Sequence, residues 1–210
     1  LAGFTPIVQT GSQPLFLVAG AGSGFASLKD AVAAAKPGKP LGYASPGSGS
    51  PMHILGEMFA RASGASLAHV PYKGGAPAVN DLLGGHVPVT FITLGPVAPY
   101  FANGKLRALA VASAQRTPLA PNVPTLAERY PGLEVFTWLG FWLPAKTPPE
   151  IVDRFNREIR AATQSPEMQK LIAEAGLEPM GTTPEETRAI VRREAEAMGK
   201  LIKAKNIRID

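Results

Sequence analysis

A chain of 210 residues, 45% of them hydrophobic and 18% charged, is long enough to bury one sizeable core or two small ones and too apolar to remain disordered. The net charge is +5, yet the densest basic stretch, Arg192-Arg193 with Lys200, Lys203 and Lys205, is mixed with Glu194 and Glu196 and carries no aromatic residues, which excludes a stacking platform for single strands and describes a solvated helix face. Zero cysteines exclude disulfides, thiol catalysis and cysteine zinc sites, and no apolar run is long enough to span a membrane.

Leu15 to Ala19 is a short apolar run that reads as a buried strand. Gly20 to Gly24 follows as a loop. Ser27, with Asp30 in the first turn, caps a helix through Ala35, and Lys36-Pro37-Gly38 ends it. Leu41 to Ala44 is a strand, Ser45-Pro46-Gly47-Ser48-Gly49-Ser50 a loop, and Pro51 suits the first position of a helix to Ala62. That helix presents Ile54, Leu55, Met58 and Phe59 as a buried stripe, and Gly64 stops it. The unit then recurs. Ala68 to Tyr72 is a strand, Lys73-Gly74-Gly75-Ala76 a loop, and Pro77 opens a helix to Leu83. Val87 to Ile92 is a strand, Thr93 to Pro96 leads into a short helix ending at Asn103-Gly104, and Leu106 to Ala112 is a strand.

Strands alternating with helices from residue 15 to residue 112 argue for a parallel, doubly wound sheet, with ligands bound beyond the carboxyl ends of the strands. After residue 112 the character changes. Residues 115–132 are irregular and punctuated by proline, and Val135 to Leu143 is an aromatic strand region containing Trp138, Phe141 and Trp142. Helices follow over 149–163, 166–175 and 184–204, each with proline in its first turn. This second part has few strands of its own and reads as an incomplete lobe.

Enzyme signatures fail one by one. Gly38-Lys39 runs into Pro40 and Gly104-Lys105 into Leu106, so neither is a phosphate loop, and Gly20-Ala21-Gly22 and Gly47-Ser48-Gly49 lack the third glycine of a dinucleotide fingerprint. Ser45 stands between strand and helix without the flanking glycines of a nucleophile elbow. His53 and Glu57 share a helix face at metal-site spacing, but no third ligand can be named. No metal and no cofactor are expected. The positive signal lies in the loop–helix junctions: a helix start leaves backbone N–H groups unpaired and carries a partial positive charge, and small residues let an anion approach. Loops 45–50 and 73–76 offer such sites, loop 93–96 a weaker one, and Ser45, Ser48 and Ser50 add hydroxyls. Ordinary tight turns are the alternative reading of each.

Several strings together resemble the Bug family of extracytoplasmic solute receptors, which serve tripartite tricarboxylate transporters. They are Gly42-Tyr-Ala-Ser-Pro-Gly-Ser-Gly-Ser-Pro-Met-His53 with Gly56-Glu57, Val70-Pro-Tyr-Lys-Gly-Gly-Ala-Pro77 with Asp81-Leu-Leu-Gly-Gly85, Gly104-Lys-Leu-Arg-Ala-Leu-Ala110, Val123-Pro-Thr125, and Trp138-Leu-Gly-Phe141 with Pro144-Ala-Lys-Thr-Pro148. The resemblance implies an α/β, periplasmic-binding-protein-like two-lobed fold with doubly wound sheets. Residues 18–111 would form one complete lobe. Residues 1–17 and 112–210 would form the remainder of the first lobe, incomplete because its N-terminal strands and a Gly-rich loop precede this chain.

The function implied is that of a periplasmic, monomeric receptor, not an enzyme. It would capture a small organic acid, a dicarboxylate or aromatic acid, in an interlobe cleft for membrane transporter subunits, with no nucleic acid involved. A sensory module feeding a two-component system is the alternative. The ligand-binding residues implied are Ser45, Gly47, Ser48, Gly49, Ser50, His53, Tyr72, Lys73, Gly74, Gly75, Ala76 and Thr93, with Trp138, Gly140 and Phe141 lining the cleft from the other lobe. One departure is chemical. Family members often carry Asp-Asn where this chain has Ile92-Thr93, so a carboxylate that could pair with an amine is missing and a ligand without an ammonium group is expected.

Overall fold

The computed structural model describes residues 3–205 and divides into two units, one of residues 14–136 and the other of residues 3–13 with 137–205. One strand, β1 (Phe4–Gly20), contributes to both.

In unit 14–136, β1 is followed by α1 (Leu28–Ala34), β2 (Leu41–Ser45), α2 (Pro51–Ser63), β3 (Leu67–Pro71), α3 (Gly75–Leu83), β4 (Val89–Thr93) and β5 (Leu106–Val111). The sheet order is β3-β2-β4-β1-β5. β2 pairs in parallel with β3 and β4, whereas β1 is antiparallel to β4 and β5. β4 and β5 therefore run the same way, and four parallel strands enclose one reversed strand. The all-parallel sheet read from the alternation is corrected here. The all-apolar run Leu15–Ala19 gives no direction. Its buried faces fit between two neighbours, with Phe16 and Val18 packing into a core shared with Ala44, Val79, Leu82, Ile92 and Val111.

Local chemistry sets the helix ends. Ser27 caps α1 by accepting from Asp30 N–H while the Asp30 carboxylate accepts from Ser27 N–H at 2.8 Å, a reciprocal pair that leaves fewer orphan amides. Ser50 caps α2, Pro51 opens it and Gly64 closes it in the left-handed conformation. α3 starts at Gly75, two residues before the expected Pro77, because Gly74 supplies the turn at φ 113°. The helix expected before Gly104 is only a single 3-10 turn, Ala98–Tyr100.

Residues 112–136 cluster with this unit. Val111 and Ala112 exchange backbone bonds with Pro124, Leu126 and Val135, and Tyr130 packs edge-on against Phe59. Arg116 clamps Glu128 with two hydrogen bonds of 2.8 and 3.0 Å, and this guanidinium, with the Thr125 amide, holds the Glu128 carboxyl down at about 2.

The other unit joins the first part of β1 to β6 (Phe136–Pro144), α4 (Pro149–Thr163), α5 (Pro166–Glu174), β7 (Glu178–Pro179) and α6 (Pro184–Lys205). Ile7, Val8 and Val152 form its buried centre with Leu143 and Ile159. Asn156 stitches α4 to β1, donating to the Ile7 carbonyl at 2.7 Å and to the Thr182 carbonyl at 2.9 Å. Gly140 permits close passage of β6, since a Cβ there would lie 2.6 Å from the Val8 carbonyl oxygen.

Gly56 sits over the buried ring of Tyr43, where an added Cβ would lie 2.3 Å from the ring carbon Cε2. Gly56→Ala is expected to lower the unfolding free energy by about 2 kcal/mol through overpacking. A urea titration checks this, and an unchanged midpoint would mean that the Tyr43 ring can move aside.

Candidate functional site

Because β2, β3 and β4 are parallel, their carboxyl ends lie at one edge of the sheet: Ser45 is level with Pro71, and Ala44 with Thr90. Two backbone bonds then fasten the first loop to the second, from Tyr72 N–H to the Ser45 carbonyl at 3.0 Å and from Gly74 N–H to the Pro46 carbonyl at 2.9 Å. Gly75 follows, its Cβ position 3.6 Å from Ile92 at the end of β4. Loops 45–50 and 72–76 and the Ile92–Thr93 terminus thus form one cluster. Ser45, Gly47, Ser48, Gly49, Ser50, His53, Tyr72, Lys73, Gly74, Gly75, Ala76 and Thr93 all belong to these loops, to the helix starts they lead into, or to that strand end.

Many of the amides expected to face a ligand are engaged inside the cluster. Gly47 N–H donates to Ser45 Oγ at 3.2 Å, Gly49 N–H to His53 Nδ1 at 3.0 Å and Ser50 N–H to the Gly47 carbonyl at 3.2 Å. The Ser45 and Ser50 hydroxyl oxygens are also engaged as acceptors. Ser50 Oγ accepts from His53 N–H as the cap of α2. Ser45 is fully buried, donates to the Gly47 carbonyl at 3.1 Å and lies 2.7 Å from His69 Nε2. Among the described residues, the amides left without a protein acceptor in these two loops are those of Ser48, Lys73, Gly75 and Ala76. The last two are the first residues of α3, whose N-terminus has no side-chain cap. Four unpaired amides and the positive end of α3 remain in these loops, groups that attract negative charge. Lys73 is exposed and takes no part in the ion pairs of the described residues.

Beneath the loops lies a polar stack that sequence reading missed. The His53 and His69 rings are parallel within 6° at a centroid distance of 3.8 Å, and the Tyr43 ring lies 5.1 Å from His69. The Tyr43 hydroxyl donates to Glu57 at 3.2 Å, and burial with the Glu57 charge raises the phenol above its ordinary value. Tyr72 donates to Asp81 at 2.6 Å, and partial burial with that bond pushes it up to about 12. His69 and Tyr43 face one another because they sit at one level of paired parallel strands. Spacing along the chain carries no trace of this, although the strand alternation could have put Tyr43 and Ser45 on one face.

Trp138, Gly140 and Phe141 lie on β6 in the other unit. Trp138 Nε1–H donates to Glu194 on α6 at 2.8 Å and its ring stacks with Trp142, while Phe141 is 54% exposed. That unit has a groove of about 530 Å³ of its own, lined by Phe4, Pro6, Trp142 and one face of α6.

A family model described as tripartite tricarboxylate transporter family receptor matches residues 1–207. Protein BugT of Bordetella pertussis is 36% identical over 199 residues, covering 93% of this chain and 61% of that protein. A Pseudomonas sp. protein encoded in the tcbD–tcbE intergenic region is 36% identical over 203 residues, covering 95% of this chain and 60% of its own length. This chain therefore spans about three fifths of these relatives. Among solved structures, R. palustris Rpa4515 with adipate superposes with a TM-score of 0.90 at 32% identity, over 99% of this chain and 70% of that one. Periplasmic binding protein BugD gives 0.84 at 30%, over 99% and 71%. The two-lobed periplasmic-binding-protein-like α/β fold expected from the sequence is thereby established.

Burial, with the neighbouring His53 as a lesser cause, lowers His69 to about 4 from the ordinary 6.5, so the unfolded chain takes up this proton first as pH falls. The neutral ring's contribution to stability is complete above the unfolded-state value and is lost as pH falls from there toward the folded value. The urea midpoint is expected to drop between about pH 7 and about pH 5, and to drop less in His69→Asn. Equal drops in both proteins would refute the assignment.

Proposed function

Because the chain belongs to the tripartite tricarboxylate transporter receptor family, we propose that it binds a small organic carboxylate in the periplasm and presents it to membrane transporter subunits. The observation that carries this reading is the uncapped start of α3, where Gly75 and Ala76 offer free amides beside those of Lys73 and Ser48. An anion there meets aligned donors and a helix dipole, with Lys73 adding a mobile charge. The R. palustris relative that superposes over nearly the whole chain holds adipate, which makes a dicarboxylate the first candidate.

β4 ends in Ile92-Thr93, without a carboxylate, and the nearby carboxylates Glu57 and Asp81 are each turned to a tyrosine hydroxyl. An acid without an amine fits this end of the sheet best. Nor is it transformed. Ser45, the hydroxyl nearest an imidazole, is fully buried and already bonded to the Gly47 carbonyl and amide and to His69 Nε2, which argues against a nucleophile open to a substrate. The receptor holds its guest and releases it intact.

Adipate is expected to raise the melting temperature of the parent protein, as a ligand of the folded state does. No shift at saturating adipate would exclude it as the ligand. Gly75→Pro removes one free amide at a helix position that tolerates proline, and is expected to weaken adipate about tenfold in calorimetry, the worth of one charge-assisted bond. 2-Aminoadipate is expected to bind more weakly than adipate, and tighter binding of the amine would refute the ammonium-free assignment.

A further inference from the structure

The serine–glycine loop is held in shape by a side chain that can take up a proton. Gly49 N–H donates to His53 Nδ1 at 3.0 Å, so the nitrogen facing the loop is an acceptor and the ring's proton sits on Nε2, 4.0 Å from Glu57 Oε1. Ser50 Oγ, in the same loop, caps the His53 amide at 3.2 Å. The imidazole and the loop therefore hold each other at two points. His53 is 13% exposed in its side chain, so protons from solvent reach it.

The surroundings can be read element by element. From α2, Glu57 faces the ring and favours its charged form. From β3, His69 stacks on it at 3.8 Å and would oppose a second cation. From β2, the Tyr43 hydroxyl is bound to Glu57, and Ser45 Oγ is bound to His69. Burial outweighs Glu57 and lowers the His53 value below 6.5. Protonation at Nδ1 would set one donor against another across the Gly49 contact. The bond that shapes the loop would become a repulsion, and the amide would have to turn away.

We infer that neutral His53 is a positioning residue, a latch that keeps loop 45–50 in its ligand-holding shape, and that a proton on its Nδ1 opens the loop and lets the bound acid go. Acidity would then unload the receptor. This rests on the carboxylate-receptor reading above for the release step, but not for the latch itself.

The latch is tested without ligand. In 15N-labelled full chain titrated from about pH 7.5 to about pH 4.5, the Gly49 amide resonance is expected to move with the same midpoint as the His53 ring, the two being one equilibrium. A Gly49 amide that ignores ring protonation overturns the latch whatever the ligand. Release is tested with adipate. Its affinity at about pH 5 relative to about pH 7.5 is compared between parent and His53→Asn, whose side-chain oxygen stands where Nδ1 stands but cannot take a proton. Ionisation of adipate is common to both proteins and cancels. The parent is expected to lose at least about threefold more than the variant, since each pH unit below the ring's own value costs up to about tenfold where binding needs the neutral form. An equal loss, or a smaller one in the parent, overturns release. Should adipate fail to bind at any pH, the ligand assignment falls, and the Gly49 titration still decides the latch.

Discussion

Parallel pairing of β2 with both β3 and β4 is the constraint from which the rest follows. Parallel strands need helical crossovers, and every crossover returns the next strand to the same starting edge. The carboxyl ends of these strands consequently share one edge, and the loops leaving them are forced into contact. The bonds from Tyr72 to Ser45 and from Gly74 to Pro46 turn that proximity into a single surface. The reversed strand β1 does not disturb this edge. It fills the gap between β4 and β5 with an apolar run, Leu15 opposite Thr93 and Phe16 opposite Val111.

The small residues of the loops serve the fold before they serve a ligand. Gly49 at φ 76° and Gly74 at φ 113° occupy backbone conformations that side chains disfavour, and the turns they make point amides inward as well as outward. Gly47, Gly49 and Ser50 donate within the cluster. Among the described residues of these two loops, successive N–H groups stay free where the chain enters α3, with glycine in place of a capping side chain. The contrast with α2 is instructive, because a serine at its cap occupies the same kind of site. The choice of Ser50 at one helix start and Gly74 at the next thus decides which dipole is offered to solvent.

The imidazole stack ties this surface to the core. His69 joins Ser45 to the sheet, His53 joins Gly49 to α2, and the two rings lie flat on one another above Tyr43. Stacked neutral rings pack as any pair of aromatic groups would, whereas a charge on either is opposed by burial and by its neighbour. The loop and the two imidazoles therefore meet through contacts of 3 to 4 Å.

Much of the local structure was legible in the residues alone. Ser27 with Asp30, Ser50 with Pro51, and Gly64 mark helix ends through backbone chemistry that acts within one turn, and Leu15–Ala19 is buried wherever it lies. The loop strings also carried the family likeness, because short stretches of unusual composition survive as patterns. Strand direction, the start of α3, the stacking of His53 on His69 and the internal use of the Gly47 and Gly49 amides were decided only by the tertiary structure. Each depends on partners distant in sequence or on the path of the chain between strands, and hydropathy and spacing encode neither. Local capping and turn preferences are short-range and readable, while the assignment of donors to acceptors is a property of the assembled sheet edge.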